Sequence, residues 1–198
     1  MNRSTDWQVS DVLSPAGMDV IQRQSDAYTR LTPKEPGTPE VAALLKQLAP
    51  EQLFTRPLRS TDHGRAVLAG LWLYHDFLDA SHAISQELHD PDGSFWHAIM
   101  HRREGDFSNA KYWYARCRHH PTFGAIAAEG RSAIAGLAQG SHLEQLVNDQ
   151  WDPDGFVDVV EAVHRKPHDP LYGAAVALQR AEWRVLLGHC ARAAVGAA

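Results

Sequence analysis

Twelve of the 198 residues are histidine, and eight of them fall between His63 and His120. Imidazole titrates near neutral pH and is the commonest metal ligand, so this is where chemistry is expected. Two sets within the stretch share one spacing. His75, Asp79 and His82 stand at i, i+4 and i+7, and His97, His101 and Glu104 repeat the pattern. On a helix, residues three and four apart lie on one face, so each set forms a stripe of imidazoles and carboxylates. Helical bundles hold Zn, Fe or Mn with such side chains from facing helices. The six residues are therefore candidate ligands of a divalent transition metal, with hydrolase or oxygenase chemistry as the consequence. The second stripe is not the HExxH zinc signature, because Ala98 follows His97.

Two further readings use the same residues. In one, His75, Asp79, His82, His97, His101 and Glu104 line a polar pocket. Arg102 and Arg103 supply charge, and Trp72, Trp96, Tyr112 and Trp113 supply apolar walls. Such a pocket would take a small polar or anionic ligand, or a partner peptide. In the other, the histidines only make hydrogen bonds between helices, since buried polar groups are normally paired for structural reasons, and the protein is a structural helical-repeat interaction module.

Other chemistries find little support. Cys117 and Cys190 form no CxxC pair and read as free thiols of a reducing compartment. Gly70, Gly105 and Gly155 are isolated, so no phosphate-cradling loop is present. Nineteen basic against twenty-four acidic side chains give a net charge of −5 without a run of five like charges, which argues against a nucleic-acid partner. Protonating every histidine would carry the charge to +7. The first thirteen residues lack an apolar signal region, and no stretch approaches eighteen apolar residues. The expectation is a soluble, cytoplasmic protein without a membrane segment.

The elements that must position the stripes read as helices throughout. Residues 1–37, punctuated by Pro15, Pro33, Pro36 and Gly37, are expected to form an extended, partly ordered arm with at most a short helix near 17–30. Thr38 and Pro39 open a helix that runs to Pro50. Apolar residues recur at helical spacing from Gly64 to Leu88, with a break near His75-Asp76. Asp90-Pro91-Asp92-Gly93 marks a turn, after which Ser94 caps a helix over 95–104. Further helices are predicted over 109–118, 123–138, 156–164 (capped by Asp154) and 171–195. No segment alternates like a strand. The fold class is all-α, one domain over 38–198 made of antiparallel helical hairpins or an irregular bundle. The turn at 89–93 makes the stripe-bearing helices neighbours, so that their stripes meet. The Ala-rich terminal helix is expected either to pack internally or to form a homodimer seam.

An internal echo bears on the architecture. Asp76–Pro91 aligned with Asp106–Pro121 shares Asp, Phe, Ala, His and Pro at an offset of 30. This pattern resembles the second half of a tetratricopeptide repeat, although 30 is four residues short of that period. The echo makes Asp76 a helix-capping carboxylate. His75-Asp76, with His63 upstream, also resembles the His-Asp pair of HD-type phosphohydrolases, which would place those residues on a metal. A broader resemblance lies in Tyr74-His75-Asp76-Phe77-Leu78-Asp79 with Ser81-His82, in Gly93–Glu104, in Asn109-Ala110-Lys111-Tyr112-Trp113 and in Leu178–Trp183. Over most of the chain beyond residue 60, these motifs resemble an uncharacterised family of bacteria and fungi, with Gly105 where that family is expected to carry proline. The resemblance implies no substrate.

Overall fold

The computed structural model describes residues 9–24, 27–137 and 141–197. Among them the chain forms α-helices and two short 3-10 turns, Val9–Asp11 and Pro50–Leu53, and no sheet. The helices are α1 (Pro15–Gln22), α2 (Pro39–Gln47), α3 (Thr61–Tyr74), α4 (Leu78–Ser85), α5 (Pro91–Glu104), α6 (Phe107–Arg116), α7 (Phe123–Ile134), α8 (His142–Gln145), α9 (Pro153–Val163) and α10 (Pro170–Val195). No helix of the described residues is long and apolar enough to cross a membrane.

Helices α3 with α4, and α5 with α6, pack as consecutive hairpins, and α4 also lies on α5. The 26-residue α10, about 39 Å long at 1.5 Å per residue, packs on α3, α7 and α9. Its Ala174, Ala175, Leu178, Ala181, Leu186, Leu187, Cys190 and Ala191 are buried within the chain. Helix α5 is enclosed almost along its length: every residue from Asp92 to Arg103 is buried. An enclosed helix need not be apolar all round, but each polar group on it must find a partner or bear the cost of lacking one.

Several helix starts lie a turn earlier than the sequence suggests, for one reason. In Asp90-Pro91-Asp92-Gly93 the first Asp is the N-cap, Pro91 is the first helical residue, and Gly93 N–H donates to Asp90 Oδ1 at 2.7 Å. Asp152-Pro153-Asp154-Gly155 does the same, with Gly155 N–H donating to Asp152 Oδ1 at 3.0 Å. Proline is well suited to the first helical position because the N–H it lacks would have no partner there. Neither Ser94 nor Asp154 is therefore a cap. Gly93 is required by packing: a Cβ there would come within 2.3 Å of the Leu88 Cβ.

The amino-terminal segment departs from the expectation of an extended arm. Residues 1–8 and 25–26 lie outside the described residues, but Leu13, Val20, Tyr28 and Leu31 are fully buried. Tyr28 stacks on Tyr74 with ring centroids 5.6 Å apart, and Leu13 bridges to Phe54. These apolar residues follow no single period, which is why their burial is not evident from spacing alone.

Candidate functional site

The break between α3 and α4 decides which histidines meet. Helix α3 ends at Tyr74, and Asp76 adopts φ 64°, a left-handed conformation that redirects the chain. The i, i+4, i+7 relation holds only along one continuous helix, so His75 does not share a face with Asp79 and His82. Instead His75 is buried with its Nε2 2.8 Å from the Val20 carbonyl oxygen. The second stripe is intact, because His97, His101 and Glu104 all lie on α5 before Gly105 ends it at φ 93°.

What converges is a triad of imidazoles. His82 of α4 has its ring centroid 4.7 Å from that of His97 and 5.4 Å from that of His101. His97 and His101, one turn apart, stack at 4.7 Å and 19°. One nitrogen from each ring lies within 4.8 Å of the other two. A tetrahedral ion with Zn–N near 2.0–2.1 Å needs nitrogens roughly 3.4 Å apart, so small ring rotations would close the site. His97 and His101 are buried, and His82 is half-buried and opens toward solvent. Trp113 of α6 stacks on His97 at 4.0 Å and 17°. Glu104 Oε1 stands 3.5 Å from His101 Nδ1, and the Asn109 side-chain amide is 3.1 Å from His101 Nε2.

The electrostatics at His97 and His101 favour neutral imidazole. Burial, with His101 and His82 adding their own opposition, takes the His97 pKa down to about 3. Burial also lowers that of His101, against the pull of Glu104. A neutral imidazole keeps a lone pair for an ion. Moreover, His97 Nδ1 is buried with no hydrogen-bond partner.

The remaining candidates lie elsewhere. Trp72 and Asp79 line a cleft of about 480 Å³ whose other wall includes Lys34, Pro36 and Lys46. Trp96 is core, packed so closely on Gly70 that a Cβ there would meet its ring at 2.7 Å. Tyr112 is exposed rather than a wall. Arg102 is fully buried against Glu182 of α10, with Nη2 to Oε2 at 2.5 Å, and it also donates to Tyr114 Oη. Arg103 donates to Asp76 Oδ1 and to the Leu73 carbonyl, both at 2.6 Å, and sits 4.0 Å over the Tyr28 ring. Both arginines are thus part of the interior, not ligand-facing charge.

Asp76 is consequently not a helix cap, since its carboxylate is held by Arg103 and by Arg30 at 2.6 Å. Nor does it form a His-Asp metal pair with His63, whose ring instead reaches Asp92. The free thiols Cys117 and Cys190 are both buried; burial pushes Cys117 up to about 12 and Cys190 well above its usual value, so neither is a nucleophile. Asn109 carries no signal in its own stripe and is recognisable only through the turn that brings α6 back across α5. No protein-family model, curated protein or solved structure matches the chain.

Proposed function

We propose that this protein binds a divalent transition-metal ion through His82, His97 and His101 and uses it for metal-assisted hydrolysis. The observation that carries the reading is the buried His97 imidazole, brought against two others with one nitrogen lacking any partner. A buried polar atom without a partner costs about 1–3 kcal/mol, and coordination would remove the need for one. Three neutral nitrogen donors suit zinc, and leave a fourth position for water whose pKa the ion lowers toward 7. His82 is the exposed member, so that position opens on its side. Glu104, at the rim, is placed to take the proton that such a water releases, and Asn109 would orient His101.

The test is a cobalt titration of chelator-treated protein followed by visible absorption. The wild type should develop the intense bands of four-coordinate cobalt at the triad, and the double variant His97→Ala, His101→Ala should lose that contribution, whatever cobalt it binds elsewhere. Equal bands in both would overturn the reading.

A second reading is favoured by the cleft of about 480 Å³, where Trp72 and Phe77 meet edge-on at 5.3 Å beside Lys34 and Lys46. A small polar ligand, or a peptide side chain, would be held there by aromatic contact and by the mixed charges of Lys34, Lys46, Glu35 and Asp79. Thermal-shift screening of wild type against Trp72→Ala tests it: a ligand that raises the melting midpoint of both equally is not bound in this cleft.

A further inference from the structure

On another side of α5, at its first turn, four elements converge on a single carboxylate. Asp92 is buried, and His120, from the α6–α7 connection, places Nε2 2.7 Å from Asp92 Oδ1. His189 of α10 places its Nε2 3.3 Å from the same oxygen. His63, in the first turn of α3, brings Nε2 to within 3.2 Å of the other oxygen, Oδ2. The rings are held from behind: Ser60 Oγ lies 2.7 Å from His63 Nδ1, and Thr122 Oγ1 lies 2.8 Å from His120 Nδ1. The Nε2 atoms of His63 and His120 are thereby aimed at the two oxygens of Asp92.

Helix capping does not account for this cluster, because the helix is already capped by Asp90, whose Oδ1 accepts from Gly93 N–H. An ionised carboxylate has about four acceptor sites. Asp92 turns its two oxygens to three imidazoles, the side chains that most often ligate metals, from distant parts of the chain. We infer that Asp92, His120 and His189 form a second divalent-metal site of the two-histidine, one-carboxylate type, with His63 orienting the carboxylate through Oδ2. Ligand atoms of Asp92, His120 and His189 lie within 4.8 Å of one another. The 3.3 Å His189–Asp92 separation is close to the edge of a tetrahedral shell with bonds of roughly 2.0–2.1 Å, and the 2.7 Å His120–Asp92 hydrogen bond would lengthen slightly to admit an ion. The donor set, two imidazoles and a carboxylate with positions left over, suits ferrous iron, zinc or manganese. His189 and His63 are about one-third exposed, which gives an ion a way in. The hydroxyls of Ser60 and Thr122 do for these rings what outer partners do for metal-bound histidines generally, fixing orientation and tautomer.

The experiment is a count of bound ions per chain, by calorimetry with zinc and by elemental analysis, on full-length chelator-treated protein. The wild type should bind two ions, and His97→Ala, His101→Ala should bind one. Adding His189→Ala to that background should abolish the remaining ion, and adding His63→Ala instead should weaken it by about 10–100-fold. His189→Gln, which keeps a polar side chain of similar reach, guards against loss of folding, monitored by circular dichroism. A folded His189→Gln chain that still binds the second ion with unchanged affinity overturns the site, as does a wild type whose only ion is lost with His97 and His101. A wild type that keeps its full count without His97 and His101 overturns the first site and leaves this one standing.

Discussion

Helix α5 buries polar side chains in several neighbourhoods, and two of them are treated in opposite ways. Arg102 and Arg103 send their terminal nitrogens to Glu182, Tyr114, Asp76 and main-chain carbonyls, leaving only each Nε without a partner. His97 and His101 are nearly as buried, yet no carboxylate or carbonyl accepts from His97, and His101 has only Glu104 and Asn109 at its edge. The arginine side is an interior salt-bridge network whose members require one another. On the histidine side, His97 has no acceptor at all and His101 has only a rim carboxylate. The difference separates polar groups that hold a fold together from polar groups that await something else.

The comparison predicts opposite responses to apolar substitution. Arg102→Met should cost about 3–5 kcal/mol, because it strands Glu182 as an unpaired buried charge. In a domain of this size, that lowers the melting midpoint by on the order of 10 °C. His97→Phe keeps the ring against Trp113 and removes the unsatisfied nitrogen. It should leave the metal-free protein as stable or more stable, by about 1 kcal/mol, while reducing cobalt affinity at the triad at least 10-fold. If both substitutions destabilise alike, the histidines are structural and the contrast fails.

Asn109→Ala should weaken cobalt binding by about 10–100-fold with the fold intact, as for an outer-shell partner. Acid sensitivity sharpens the contrast further. With its pKa held down to about 3, His97 takes up a proton near its ordinary 6.5 only in the unfolded chain. Its contribution to stability is thus complete above about pH 6.5 and is lost as pH falls from there toward 3. Urea midpoints measured across that window should fall more gently in His97→Phe than in the wild type. The smallest effect belongs to the surface: Lys111→Ala removes the exposed pair with Asp158 at 2.5 Å and should change stability by less than about 1 kcal/mol.

The helical fold was legible because apolar residues recur at three and four along nearly every element, and because turn-formers stand between them. Asp90-Pro91-Asp92-Gly93 looks like a turn and Asp154 like a cap, yet in both Asp-Pro-Asp-Gly runs the first Asp is the cap and proline already lies in the helix. Spacing along α5 located His97 and His101, and the short turn before it located His82. It could not show that Arg102 has its acceptor 80 residues away on α10. Nor could it show that His75 falls past the end of α3, since a left-handed Asp76 leaves no periodic trace. Partners separated by long stretches of chain, such as Asp92 with His189, are set by packing of whole helices and have no local signature.

One diffraction experiment tests the His82–His97–His101 site most directly. Crystals grown with zinc and measured on both sides of the zinc absorption edge should show an anomalous peak within about 2.1 Å of nitrogens of His82, His97 and His101. Density there explained by the three rings alone, in protein saturated with zinc, would contradict it.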